Sequence, residues 1–239
     1  MGMRKESLSL FDFEAGEILN IDKPVGMTSF RVVEKIRRWT HCKKVGHAGT
    51  LDPLATGVLL VCTGLATKQV SELMEWEKVY EGTVALGKTT DTDDAEGKIL
   101  QVVSVPAFSV DDILLVLKEF EGDIEQIPPM YSALKVNGRR LYQLARRGEV
   151  VPRQPRRVRI YKVELLNWQR PFLQIRVCCS KGTYIRALAR DVGEKLGTGG
   201  YLRSLRRTRM GRYSVNDAYS LEKLREILSA KHESISIHR

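Results

Sequence analysis

A chain of 239 residues with 43% hydrophobic and 28% charged side chains is long enough to bury one large core or two small ones without disulfide staples. Its formal net charge of +10 makes a polyanion the first partner to consider. No basic-apolar-small leader pattern and no run of about 18 apolar residues is found, and the expectation is a soluble, cytoplasmic protein with no membrane partner. The four cysteines, Cys42, Cys62, Cys178 and Cys179, form no C-x-x-C pair and read as buried reduced thiols, the adjacent pair facing opposite sides of a strand.

The first fifteen or so residues lack a period and predict a loose arm. Residues 17–24, EILNIDKP, alternate apolar and polar and predict a strand that stops at Pro24. Thr28 or Ser29 can cap a following helix, whose apolar face is Val32, Val33, Ile36 and Trp39. The glycine-rich stretch KVGHAGTLDPLATG predicts a loop, VLLVCTG a buried strand, and ATKQVSELMEW a helix. Residues 79–86 resume strand alternation, and KTTDTDDAEGK is a turn leading to ILQVV, as in a hairpin. Ser109 opens a helix with capping-box spacing to Asp112.

The stretch IPPMYSALKVNGRRLYQLARRG holds Pro128, Pro129 and an Asn137-Gly138 turn signal, and predicts an ordered insertion standing off the core. Strands over 157–167 and 172–179 follow. A helix comes next with Ile185, Leu188, Ala189, Val192 and Leu196 inward and Arg186 and Arg190 off the apolar stripe. A last strand around Tyr213 and the helix SLEKLREILSA close the chain. The order implies an α+β fold, a mixed sheet with helices packed on it. The whole chain, 1–239, reads as one domain, with an insertion over about 126–153 and a C-terminal extension over 214–239.

Two motifs invite misreading. GTVALGKT, residues 82–89, fits the G-x-x-x-x-G-K-[ST] pattern of a phosphate loop. The chemistry needs backbone N–H groups curled toward phosphates and a helix beginning at the lysine, whereas TVAL favours strand and TDTDDAEG is a poor helix. The turn Asp91, Asp93, Asp94 and Glu96 lacks the glycine and the final glutamate of a calcium loop and reads as solvated. His41, His47, His232 and His238 have no ligand spacing with the cysteines, so no metal is expected.

GHAGTLDPLATG places one histidine and one aspartate among small residues just before an apolar strand. That exposes the carboxylate of Asp52 against a rigid support, with Gly46, Gly49 and Gly57 letting a flat ligand approach and Pro53 fixing the chain direction. An aspartate before proline can equally be a plain turn former.

This segment closely resembles the G-H-x-G-x-L-D-P-x-A-x-G motif of the bacterial tRNA pseudouridine-55 synthase family, and further stretches resemble that family in the same order: LNIDKPVGMTS, EKVYEGTVALGKTTDTDDAEG, IPPMYSALKVNGRRLYQLARRG and CSKGTYIRALARDVGEKLG. The resemblance runs from Ile18 to about Tyr213. It implies a pseudouridine synthase-like fold with a largely antiparallel sheet flanked by helices, and an insertion that grips RNA. It assigns Asp52 as the catalytic carboxylate, His47 as a residue holding the extruded nucleotide, and Tyr80 as the tyrosine stacked on the target base. It further assigns Tyr184 and Arg186 as the pocket tyrosine and the partner of the aspartate, Leu205 as a base contact, and Lys23 as a support.

The implied reaction breaks the glycosidic bond of uridine, turns the base and rejoins it through C5. It requires no cofactor, and Asp52 could act at C6, C1′ or C2′. The implied partner is the T stem-loop of tRNA, with no obligate protein partner. Many members carry a further small RNA-binding domain, which this sequence is expected to lack after SLEKLREIL.

Charge supports RNA. Ten basic residues lie between Lys135 and Lys162, among them Arg139, Arg140, Arg146, Arg147 and Arg153, against the single acid Glu149. Arg203, Arg206, Arg207, Arg209 and Arg212 form a second run. Interleaved Tyr142, Tyr161 and Tyr201 could stack on bases. An RNA-binding module or assembly factor without turnover is the rival expectation, with a phosphate-loop ATPase third.

Overall fold

The structure, a computed structural model, describes residues 11–136 and 138–236, and the side chains of these up to residue 229. In chain order its first half forms β1 (Ile18–Lys23), α1 (Ser29–Thr40), β2 (Val45–Ala48), β3 (Ala55–Thr63), a 3₁₀ turn, α2 (Val70–Glu75), β4 (Lys78–Leu86), β5 (Lys88–Thr90), β6 (Ile99–Val102) and α3 (Val110–Lys118). The second half adds β7 (Gly122–Gln126), β8 (Lys135–Val136), β9 (Arg139–Arg140), α4 (Leu141–Ala145), β10 (Arg156–Gln169), β11 (Phe172–Cys179), α5 (Ile185–Lys195), β12 (Gly200–Met210), β13 (Tyr213–Ser214) and α6 (Leu221–Ser236). The class is α+β with antiparallel strands flanked by helices. The chain divides into two compact units, one up to Trp76 and again from Arg207, the other Glu77–Arg206.

In the first unit β3 is the central support. Val58, Leu59, Leu60 and Val61 are all fully buried, and a buried aliphatic side chain contributes about 1.5–3 kcal/mol. β1 pairs with β3 antiparallel from Ile18↔Cys62 to Lys23↔Gly57, and β2 pairs with β3 from Val45↔Thr63 to Ala48↔Leu60. Ala48, Val58, Leu60, Cys62, Ala66, Leu73 and Met210 form one apolar cluster. Burial there pushes the Cys62 thiol up to about 11, which leaves it unreactive. Thr28 caps α1 by accepting from Arg31 N–H, and Val32, Val33 and Ile36 are its buried face.

In the second unit β11 lies between β4 and β10, antiparallel to both, and β7 pairs with β10 from Arg156↔Gln126 to Ile160↔Gly122. β12 runs beside β4, with Leu202 and Leu205 close to Gly82 and Gly200 close to Val84. Ser109 and Asp112 form the expected capping box of α3, and β5 and β6 form the expected hairpin.

Four expectations change. The stretch read as one loop over KVGHAGTLDPLATG is β2, a short loop over 49–54, and the start of β3, because Val45, Ala48 and Ala55 are buried by strand pairing. The predicted helix ATKQVSELMEW is a 3₁₀ turn followed by the single short helix α2. β12 was not anticipated: its arginine-rich sequence carries no apolar–polar alternation, and the residues it buries, Leu202, Arg207 and Met210, follow no period of two. The acidic turn is solvated only in part: Asp91 and Glu96 are exposed as expected, Asp93 is half-buried, and Asp94 is buried. Asn137 and residues 1–10 of the expected N-terminal arm lie outside the described residues.

The GTVALGKT stretch is strand β4, a turn at Gly87 with φ of +85°, and strand β5. No helix begins at Lys88, so the backbone geometry of a phosphate loop is absent there. Gly82 has a packing role instead: a Cβ there would meet Leu202 Cδ1 at 3.3 Å and Leu205 Cδ1 at 3.4 Å.

Candidate active site

The Asp52 loop in the first unit is clamped from the β1–α1 connection. Ser29 Oγ donates to the Leu51 carbonyl at 3.0 Å and accepts from Leu51 N–H at 2.8 Å. Gly26 N–H donates to the Pro53 carbonyl at 2.8 Å. Lys23 is fully buried, and its ammonium reaches the carbonyls of Pro24, Met27 and Pro53, the last at 3.4 Å. An ammonium out of water is tolerated only when its donors find acceptors, and here they are main-chain carbonyls around the turn. The LNIDKPVGMTS and GHAGTLDPLATG segments are therefore one physical unit. Asp52 itself is partly exposed, and its carbonyl accepts from Ala55 N–H at 3.1 Å to close the turn.

A residue missed by the sequence reading completes the clamp. Arg207, counted above with a phosphate-binding run, is 1% exposed and donates through Nε to the Val58 carbonyl at 2.6 Å and through Nη2 to the Gly49 carbonyl at 3.0 Å. Gly57 has a φ of +98°, and a Cβ there would lie 2.2 Å from the Arg207 carbonyl oxygen. A Cβ at Gly49 would meet Arg207 Nη1 at 3.3 Å. Those two glycines make room for Arg207, not for a flat ligand. His47 lies partly buried on β2, its Nδ1 buried without a hydrogen-bond partner. Its pKa is lowered, first by burial and then by the positive charge of Arg207, which favours the neutral imidazole.

The second unit carries Tyr80, Tyr184, Arg186 and Leu205. Tyr80 is buried on β4 opposite Val177, and Leu205 on β12 lies over the same strand at Gly82, two residues along on the face that Tyr80 shares. Tyr184 is the N-cap of α5. Arg186, read from periodicity as lying off the apolar stripe, is buried. Its guanidinium donates to the carbonyls of Thr92 at 3.1 Å and Tyr131 at 2.9 Å, and its Nε lies 3.6 Å from Asp94 Oδ2. Asp94 in turn accepts from Thr92 Oγ1 at 2.5 Å and Glu96 N–H at 3.0 Å. Arg190, one turn on, pairs with Asp93 at 3.0 Å. Asp93 and Asp94 of the acidic turn thus face two arginines of α5, which is why these two carboxylates are drawn inward while Asp91 and Glu96 stay exposed.

The basic insertion is ordered over its described residues. Leu141 and Leu144 of α4 are buried, while Arg139, Arg140, Arg146 and Arg147 are exposed. Arg140 and Arg146 both lie over the Tyr142 ring, at 6.0 and 5.5 Å from its centroid. Arg153 differs from its neighbours and turns inward to the Pro128 carbonyl at 3.0 Å. The second basic run is largely committed within the protein: besides Arg207, Arg203 stacks on Phe172 at 4.2 Å and Arg209 donates to the Gly211 carbonyl.

Residues 37–185 match the family model described as TruB family pseudouridylate synthase (N terminal domain). The chain belongs to the TruB family. Residues 186–237 match the model for the tRNA pseudouridylate synthase B C-terminal domain, a span that includes most of the stretch read as a C-terminal extension. A tRNA pseudouridine synthase B of Pseudomonas fluorescens is 51% identical over 210 residues, covering 88% of this chain and 68% of that protein. One of Clostridium kluyveri is 48% identical over 207 residues, covering 87% and 71%.

Among solved structures, a Cbf5-Nop10-Gar1 complex contains a chain with TM-score 0.71 and 32% identity. An H/ACA RNP bound to a substrate RNA containing 2′-deoxyuridine gives TM-score 0.68 and 30% identity. This chain covers 90% of its own length in each and spans about half of those chains, 54% and 53%. The TruB family match contains both the clamped Asp52 loop and the Arg186 network, except that Arg186 itself begins the C-terminal match. Among the described residues no helix is long and apolar enough to cross a membrane.

Proposed function

We propose that this chain isomerises uridine to pseudouridine in the T arm of tRNA, at position 55, with Asp52 as the catalytic carboxylate. The observation that carries the reading is the clamp on the Asp52 loop: Ser29, Lys23, Gly26 and Arg207 fix the main chain on both sides of a partly exposed carboxylate. A turn former needs no such support. Preorganised placement of a reacting group is what an isomerase without other reagents requires.

The target base lies inside a folded loop and must be flipped out, at a cost of about a few kcal/mol. Binding of phosphates by Arg139, Arg140, Arg146 and Arg147 offsets that cost, and Tyr142 offers a stacking face already flanked by two guanidiniums. His47, held neutral, suits a hydrogen bond to the extruded nucleotide and does not add a second cation beside Arg207. Tyr80, Tyr184 and Leu205 supply apolar and aromatic surface for the base, and Arg186 a fixed cation. In each of the three routes, attack at C6, attack at C1′ or removal of the C2′ proton, the Asp52 carboxylate makes the first move. The glycosidic N1–C1′ bond breaks, a C5–C1′ bond forms, the C5 proton leaves and N1 takes up a proton; the bond the carboxylate made to C6 or C1′ is broken again, or the C2′ proton returned, before the product departs. The atoms balance with no net oxidation or reduction.

The test is release of tritium from [5-³H]uridine in a T-arm stem-loop by the purified protein. Release in step with conversion of that uridine to pseudouridine is the expected result. Tight RNA binding with no release would leave an RNA-binding module in place of an enzyme.

A further inference from the structure

Gln126 closes β7 where the insertion leaves the sheet, and it is 1% exposed. Its carboxamide makes two bonds to one residue. Nε2 donates to the Tyr184 carbonyl at 3.1 Å, and Oε1 accepts from Tyr184 N–H at 2.9 Å. Tyr184 is the N-cap of α5 and has no side-chain cap of its own, so Gln126 grips the helix entrance from outside. A carboxamide offers donor and acceptor in one plane, which a carboxylate or a thioether cannot do.

The residues that follow Gln126 are held by neighbouring groups. Arg190 Nη2 donates to the Ile127 carbonyl at 3.0 Å, Arg153 to Pro128 at 3.0 Å, and Arg186 to Tyr131 at 2.9 Å. Further along the insertion, Tyr142 N–H donates to Ser132 and Leu141 N–H to Leu134, which fixes the start of α4. A continuous set of hydrogen bonds therefore runs from the helix that presents Arg146 and Arg147 to the first turn of α5.

We infer that Gln126 is a positioning residue that couples the RNA-gripping insertion to Tyr184 and Arg186, so that the insertion and the base pocket are set together. The inference rests on the function proposed above. Gln126 touches no substrate in this scheme; it acts through Tyr184.

The test uses Gln126→Met, which keeps the length of the side chain and removes both bonds, and Gln126→Glu, which keeps the acceptor and regains the donor only when protonated. On T-arm tRNA, the single-turnover rate of Gln126→Met at saturating RNA should fall about tenfold to a hundredfold, as misplacement of a reacting group does, while Kd stays within about threefold. For Gln126→Glu, the rate relative to wild type at the same pH should rise as pH is lowered. A Gln126→Met rate within about threefold of wild type overturns the inference, as does a loss confined to Kd. If the methionine variant does not fold, a rate ratio for Gln126→Glu that is flat with pH overturns it equally. A wild-type protein that binds tRNA but releases no C5 hydrogen would instead overturn the proposed function, so the two failures are distinct.

Discussion

Arg207 and Gly49 stand 158 residues apart in sequence, yet the Arg207 guanidinium donates to the Gly49 carbonyl at 3.0 Å, three residues before Asp52. The same side chain holds Val58 at the other end of the loop. Replacing Arg207 by Met takes the guanidinium donor from both carbonyls. The expected destabilisation is about 3 kcal/mol or more, given about 1.5–3 kcal/mol for each bond to a charged group. Urea unfolding should show a lower midpoint at unchanged slope, and Arg207→Lys should recover only part because it lacks the fork. An unshifted midpoint would remove Arg207 from the clamp.

Gly57→Ala tests the close approach separately. Its Cβ would lie 2.2 Å from a main-chain oxygen that cannot swing away, on a backbone with φ of +98°. Gly122 has a nearly equal φ of +99° but nothing within 4 Å of its Cβ. Gly122→Ala should therefore cost about 1–2 kcal/mol of backbone strain alone, and Gly57→Ala clearly more. Equal melting temperatures for the two variants would contradict the packing.

The pH dependence of stability follows from His47. Its folded-state pKa lies below the ordinary 6.5, owing to burial and then Arg207. Between that lowered value and 6.5 the unfolded chain binds the proton more readily than the folded one, so stability rises with pH across that window. The contribution is complete above 6.5 and is lost as pH falls through the folded pKa. In thermal melts from about pH 8 down to about pH 5, His47→Gln should lose less stability than wild type once the pH drops below the ordinary histidine value. Parallel curves would show that His47 titrates as it does in the unfolded chain.

Arg146→Ala with Arg147→Ala should weaken tRNA binding while leaving the chemical step on saturating RNA nearly intact. Each phosphate that is no longer neutralised lowers the slope of log K against log salt by about 0.7–0.9, so removing both arginines lowers it by about 1.4–1.8. A filter-binding series in salt measures this directly. An unchanged slope would place the phosphates elsewhere.

Asp52→Asn keeps the shape of the turn and removes the charge. The melting curve and tRNA affinity should persist, with binding slightly tighter as repulsion from phosphate falls. Single-turnover C5 hydrogen release should fall by about 10²-fold to 10⁴-fold or more, because an amide is a poor nucleophile and base. A folded, RNA-bound variant turning over within about tenfold of wild type would reduce Asp52 to a turn former.

The sequence by itself determined the elements whose signals are local. The alternation ending at Pro24, the Thr28 and Ser109 caps, the β5–β6 hairpin and the apolar run of β3 were all legible, because each rests on periodicity or on a side chain bonding within its own turn. The resemblance singled out Asp52 and its companions by motif, without geometry. Tertiary structure alone decided what the charged residues do. In a run of five arginines nothing local marks Arg207 as the buried one, since its acceptors, the carbonyls of Gly49 and Val58, lie on distant strands and loops. Arg186 and Arg190 looked like solvent-facing residues by helical period, and the acidic turn looked solvated by composition. Arg186 and Asp94 are buried, and Arg190 and Asp93 half-buried, because each faces the other, and burial of charge is stable only as a pair. Complementarity of that kind belongs to two segments at once, so neither segment's sequence could reveal it.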